Sequence, residues 1–318
     1  MKKLNNAKVP QNSNSFVKGI GIGLLLLVGI VGLFESSNYF QRNIPKVKSV
    51  SNNLPTKTIN KQIALFSFPT KIPSPTPSPT VTPTKIQKVI TPEKPAGYCL
   101  YVPILMYHHI EPLQDAKKEG HGSLTVDSSF FQQQISYLND KKYTTITVDD
   151  LAHALINHSG LPSKPIILTA DDGYKDIFDN AFPLLQQYNI KLNLMIPTGL
   201  VGGGDYLTWD QIKQMVGSGL ITAYDHTWSH ASLGNATQDK IHYEISTAKG
   251  QLEQNLGKPV NIFAYPYGSE SLAVFSELKN EGFIAGLSTI GGSYQCDSFI
   301  YSLHRTRIGN VLLSAYGF

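Results

Sequence analysis

Between residues 102 and 288 short β-rich runs take turns with helical stretches, and this exchange limits the folds open to the chain more than any other feature. Apolar runs at 102–107, 166–169, 192–196, 261–265 and 285–288 read as strands, as does the β-branched run Thr144-Thr145-Ile146-Thr147-Val148. Spacing and end signals place helices over 128–138, 149–156, 177–188, 209–216, 240–256 and 271–281. Phe131, Ile135 and Leu138 share one side of the first helix, Asp149 is expected to cap the second, and Gly257 ends the fifth. Parallel strands need a crossover on every connection, and a helix is the usual crossover, so the pattern predicts an α/β fold with a parallel sheet or barrel. In such barrels the chemistry gathers at the C-terminal ends of the strands. The polar clusters of this sequence lie at those ends.

Charge divides the chain in two. The net charge is +4, yet residues 1–98 carry 13 basic and 2 acidic residues, while the rest carries 14 basic and 21 acidic. The folded part is therefore acidic, which excludes the basic face that nucleic-acid binding requires.

Lys2, Lys3, Lys8 and Lys18 precede the uncharged run GIGIGLLLLVGIVGLF at 19–34. Its 16 residues span roughly 24 Å as a helix, and Phe16 and Val17 lengthen it toward a ~30 Å hydrocarbon core. The expectation is a basic cytoplasmic tail over 1–15 and a single transmembrane anchor or signal peptide over 16–34. Either one puts the remainder outside the cytoplasm, anchored at the cell membrane or, after cleavage, secreted. Eight prolines between Pro69 and Pro95 mark 35–97 as an extended, Pro/Thr/Ser-rich stalk, which leaves 98–318 as the globular domain. Cys99 and Cys296 could form a disulfide in an oxidising compartment or remain two thiols; the bridge requires their segments to be neighbours.

Five clusters carry chemistry. Asp171-Asp172-Gly173 closes a strand; adjacent carboxylates repel, but a turn at Gly173 lets both approach one centre, where a cation would keep both ionised. The same pair also reads as a helix cap with a first-turn acid. His226 and His230, four residues apart, can face one cation, and with Asp172 they make a set of two imidazoles and one carboxylate that suits Zn2+. Pro266 and Gly268 fix a sharp turn that could aim the Tyr267 N–H at a developing oxyanion, or simply end a strand. Tyr107-His108-His109 ends the first strand, and His304 lies near the last.

Taken together, Tyr107-His108-His109-Ile110, Thr169-Ala170-Asp171-Asp172-Gly173, His226-Thr227-Trp228-Ser229-His230 and Tyr265-Pro266-Tyr267-Gly268 resemble the polysaccharide deacetylases of carbohydrate esterase family 4. Pro197-Thr198-Gly199 and Leu207-Thr208-Trp209-Asp210 are similar to the family as well. The resemblance covers roughly 100–310, and its motif style is that of exported poly-N-acetylglucosamine deacetylases. It implies a distorted (β/α)7 barrel with one divalent cation, usually zinc, on Asp172, His226 and His230. It further implies Asp171 as general base, the Tyr267 N–H as oxyanion donor, and His108 or His304 as the acid that protonates the leaving amine. The implied substrate is an N-acetylated cell-surface polysaccharide: poly-N-acetylglucosamine, peptidoglycan or a chitin-like oligomer.

The chain departs from the family pattern at three points. Ala170 stands where the family has Phe, and strand alternation turns it away from Asp171, so the expected effect is on packing. Ala264 replaces the Arg that orients the base, and Arg305 or Arg307 could supply that charge. Ser302-Leu303-His304 does not reproduce the family's Leu-x-His near the C-terminus, which leaves the acid histidine open; in addition, Asp225 stands where Ser or Asn is common. Other functions consistent with the motifs are a polysaccharide O-acetyl esterase using the same site and a non-catalytic carbohydrate-binding wall protein. Retention of Asp171 argues against the latter, since metal binding alone needs no base.

Overall fold

The computed structural model describes residues 97–318, so the tail, the apolar run at 16–34 and all of the stalk but Gly97 lie outside the described residues. No described helix is long and apolar enough to cross a membrane. The domain opens with β1 (Cys99–Tyr101), β2 (Ile104–Tyr107) and β3 (His109–Ile110), followed by α1 (Leu113–Glu119), β4 (Thr125–Val126) and α2 (Ser128–Asp140). Helix α2 starts where it does because the Asp127 carboxylate accepts the Ser129 N–H. Next come β5 (Thr144–Thr145), α3 (Val148–Ile156) and β6 (Pro165–Ala170). Thr147, not Asp149, caps α3: its hydroxyl accepts the Asp150 N–H while Asp150 reaches back to the Thr147 N–H. Asp149 instead accepts the Tyr224 hydroxyl at 2.6 Å.

The stretch expected as one helix over 177–188 is a π-turn at Ile177–Ala181 running into α4 (Phe182–Tyr188); Pro183, which lacks an N–H, sits in the first turn of α4. Then follow β7 (Leu192–Ile196), α5 (Trp209–Gly217), β8 (Ile221–Asp225), α6 (Gln238–Leu256), β9 (Ile262–Ala264), α7 (Leu272–Asn280), β10 (Ala285–Leu287), β11 (Tyr294–Cys296) and β12 (Thr306–Arg307).

Seven strands form one parallel sheet in the order β12-β2-β6-β7-β8-β9-β10, with β5 paired to the start of β6. The sheet curls without a β10–β12 ladder to close it. Leu303 bridges the seam by bonding to Gly286 and Ser288, which leaves a partly open barrel rather than a closed (β/α)7 ring. Alternation sorts the side chains into two apolar layers. Leu105, Leu168, Leu194, Ala223 and Phe263 pack outward against the helices, while Ile104, Ile167, Met195, Tyr224 and Ile262 fill the interior with α3 residues Val148, Leu151 and Leu155. Ala170 is fully buried in the outer layer, as its parity requires. Antiparallel pairing of β1 with β11 sets Cys99 opposite Cys296, and the two form a disulfide.

Candidate active site

The same alternation aims the site. Asp171 follows Ile167 and Thr169 onto the interior face, and His226 follows Tyr224. Asp172 would point outward if β6 continued straight, but its φ of 71° and the φ of 68° at Gly173 swing it back into the mouth. Eight non-glycine described residues have positive φ, and four of them are Asp172, Thr227, His230 and Tyr267. Strain of this kind persists only where the surroundings over-determine it.

For Thr227 those surroundings can be named. Its N–H donates to Asp225 Oδ1 at 2.7 Å, and its hydroxyl accepts the Ala231 N–H at 3.0 Å. Buried Glu244 of α6 accepts the Ser229 N–H at 2.8 Å and the Ser229 hydroxyl at 2.6 Å. Gly199 donates its N–H to the Trp228 carbonyl at 2.7 Å, and a Cβ there would lie 2.8 Å from the Trp228 ring, so only glycine fits beneath the loop. Glu244→Ala is expected to lower stability by about 2 kcal/mol and to weaken cation binding, read by thermal unfolding and metal titration.

Asp172 Oδ1 lies 3.3 Å from His226 Nε2 and 3.0 Å from His230 Nε2, yet this buried oxygen has no hydrogen-bond partner. His226 Nδ1 lies 2.8 Å from the Ala264 carbonyl, which fixes the proton on Nδ1 and leaves a lone pair on Nε2 facing the carboxylate. An orphaned acceptor opposite imidazole lone pairs, with ligand atoms all within 4.8 Å of one another, fits a divalent cation. Burial opposes ionisation of Asp172, and the two adjacent histidines outweigh it, holding its carboxyl below the usual range.

Arg305, 1% exposed, makes the other central contact. Its guanidinium is bidentate to Asp171, with Nη1–Oδ1 at 2.7 Å and Nη2–Oδ2 at 2.8 Å, and its Nε donates to the Ser288 carbonyl at 2.8 Å. Burial resists the charge on Asp171, but Arg305 prevails and keeps the carboxyl below its ordinary range. Arg305 therefore supplies the charge missing at Ala264. Arg307 lies on the rim, where its Nη2 donates to the Ser123 carbonyl.

A cleft of about 630 Å³ opens over this centre and gathers His108, Asp171, Asp172, His226, His230 and Tyr267. Burial lowers the His108 pKa, against the pull of the two aspartates. Tyr267 exposes its ring at the mouth, 4.7 Å from that of His230. His304 does not line the cleft; its ring stacks on Phe299 at 4.6 Å. Sequence reading passed over Tyr174 and Tyr206, which wall the cleft with rings 5.3 Å apart. It also passed over Glu244; a helical glutamate one turn into an amphipathic pattern gives no sign that a loop hangs from it. A second cleft of similar size, at the N-terminal ends of β5, β7 and β8, holds no acid or histidine.

A curled parallel sheet carries a carboxylate–histidine centre at its C-terminal mouth, and comparison with known proteins shows what the chain is similar to. Residues 158–285 match the polysaccharide deacetylase family model. A putative polysaccharide deacetylase, YxkH of Bacillus subtilis (strain 168), is 29% identical over 219 residues, 69% of this chain and 74% of the relative. The poly-beta-1,6-N-acetyl-D-glucosamine N-deacetylase of Escherichia coli (strain K12) is 24% identical over 203 residues; the match spans 50% of this chain and 30% of that protein. The structure of the Streptococcus pyogenes deacetylase PplD in complex with acetate superposes with a TM-score of 0.62 at 28% identity, over 66% of this chain and 92% of that one. Over residues 158–285 the chain thus carries a polysaccharide deacetylase domain match, and its relatives include hydrolases of that name.

Proposed function

We propose that this protein is a metal-dependent N-deacetylase that hydrolyses N-acetyl groups of an N-acetylglucosamine polysaccharide, releasing acetate and leaving free amines. The observation that carries the reading is the buried Asp171–Arg305 pair beside the Asp172, His226 and His230 set. A divalent cation held by those three residues, Zn2+ by the donor set, supplies Lewis-acid polarisation of the acetamide carbonyl and lowers the pKa of the attacking water. Asp171, kept ionised and oriented by Arg305, accepts the water proton. The Tyr267 N–H donates to the oxyanion, and His108 gives a proton to the departing amine. The rings of Tyr174, Tyr206 and Tyr267 offer faces for a sugar.

Poly-N-acetylglucosamine is the favoured substrate because deacetylases of that polymer are among the relatives. We place the enzyme outside the cytoplasm, held at the cell membrane through 16–34 or secreted after cleavage there; the Cys99–Cys296 disulfide accords with an oxidising compartment.

Acetate release from N-acetylglucosamine oligomers tests the reading. It should be abolished by chelator and restored by Zn2+. Release only from O-acetylated glycans would replace the N-deacetylase with an esterase. His108→Ala should cost about 10²-fold or more in kcat, and His304→Ala less than about threefold, measured on the same oligomer. The reverse order would move the acid role to His304.

A further inference from the structure

Outside the catalytic centre, the excursion between β2 and α2 builds a second ligand set. His109 opens β3, Glu111 follows β3, and His121 follows the Gly120 that ends α1 with a φ of 91°. Their ligand atoms all lie within 4.8 Å of one another, with His121 Nδ1 3.0 Å and His109 Nδ1 3.7 Å from Glu111 Oε1. A tetrahedral cation with bonds of about 2.1 Å separates its ligands by about 3.4 Å, between those two values.

Glu111 Oε1 and His121 Nδ1 are both buried and neither has a hydrogen-bond partner, despite their separation of 3.0 Å. The reason lies on the far side of the His121 ring. His121 Nε2 lies 3.1 Å from Glu119 Oε2, and a proton shared there leaves Nδ1 with a lone pair aimed at the Glu111 carboxylate. Two acceptors thus face each other with no hydrogen between them, the arrangement already seen between Asp172 and His226. A carboxylate that orients one histidine nitrogen so that the other can ligate is the usual support around a metal. Asp176 completes the surround, with Oδ1 accepting the Ile110 N–H at 2.8 Å and Oδ2 lying 2.6 Å from His109 Nδ1.

The contrast with His242, Glu277 and Glu281 is instructive. They form the third such group among the described residues, but Glu277 already accepts from His242 at 2.7 Å and from the Gln238 amide at 2.7 Å. That group is satisfied by ordinary ion pairs. In the His109 group, His109 Nδ1 is paired with Asp176, but Glu111 Oε1 and His121 Nδ1 are left without a partner. The group also has an approach from solvent, a cleft of about 290 Å³ whose wall includes Glu111, Asp115, Asp176, Asp179 and Asp205 and so attracts cations.

We propose that His109, Glu111 and His121 bind a second divalent cation, of the borderline class that takes imidazole and carboxylate together: Zn2+, Co2+ or Ni2+. On loading, the His109 proton moves from Nδ1 to Nε2 and Nδ1 turns its lone pair to the cation. The site is structural. It ties the 109–126 excursion to the segment that starts α4, and it sits behind the catalytic cleft, because the His109 ring stacks on Tyr174 at 3.6 Å and Tyr174 lines that cleft.

Residues 1–96 hold no histidine or cysteine, so soft-donor sites in the full chain belong to the domain. The test is a titration of chelator-stripped full-length protein with Co2+, following the visible spectrum and the bound metal. Wild type should take up two equivalents, Glu111→Gln one, His226→Ala one, and the double variant none. In the His226→Ala background Zn2+ should raise the unfolding temperature, and Glu111→Gln, which keeps the size of the side chain, should remove that rise. Equal uptake by wild type and Glu111→Gln overturns the second site, whether wild type takes one equivalent or two. That result does not touch the catalytic set, which the His226→Ala arm reports separately.

Discussion

Asp171→Asn should lower acetate release by at least about 10³-fold while cation uptake stays at the wild-type level. The amide keeps the size of the carboxylate and can still accept one hydrogen bond from Arg305, but it cannot take a proton from water. Asp172, His226 and His230 are left as they were, so metal content is the control that separates loss of the base from loss of the centre. Turnover above about a tenth of wild type, with metal still bound, would remove Asp171 from the role of base.

Arg305→Met should be the most destabilising single change at the site, about 3–5 kcal/mol, because it leaves the Asp171 carboxylate buried with its counter-charge gone. For a domain of this size that corresponds to a fall in unfolding temperature on the order of 10 °C. Turnover should collapse too, since Asp171 loses both its orientation and the charge that keeps it ionised. Arg305→Lys should not restore activity, as a point charge cannot replace two parallel bonds. The double variant Asp171→Asn/Arg305→Met should be more stable than Arg305→Met alone. Additive losses would mean that the two side chains act independently.

The pair also predicts an acid dependence. Asp171 titrates lower in the folded protein than in the unfolded chain, so its contribution to stability is complete above the ordinary carboxylate range. That contribution is lost as pH falls through the lowered folded value. Asp171→Asn should therefore flatten the acid limb of the stability profile in chemical unfolding.

Legibility in the sequence followed the range of the interactions. Five of the seven parallel strands show as apolar runs in the sequence, but β8 and β12 do not. Ile221-Thr222-Ala223-Tyr224-Asp225 mixes polar and apolar residues because its outward face meets α6 while its inward face meets the barrel interior. The cap of α3 lies two residues before the expected one, since Thr147 and Asp149 are both good caps and only the chain direction leaving β5 chooses between them. Within the site, Asp171, Asp172, His226, His230 and Tyr267 could be named because each sits in a short motif and the motifs together resemble one family.

By itself, then, the sequence determined the alternation that makes a parallel sheet, the strand ends at which polar groups collect, and the residue types for a cation and a base. These are local properties of spacing and turn. Only the tertiary structure decided that Arg305 rather than Arg307 meets Asp171, that His108 rather than His304 shares the cleft with it, and that Cys99 meets Cys296. It also decided that His109, Glu111 and His121 converge. Each of those pairings depends on which parts of the chain the curl of the sheet brings together, and residue identity at 171 carries no record of a partner 134 positions away.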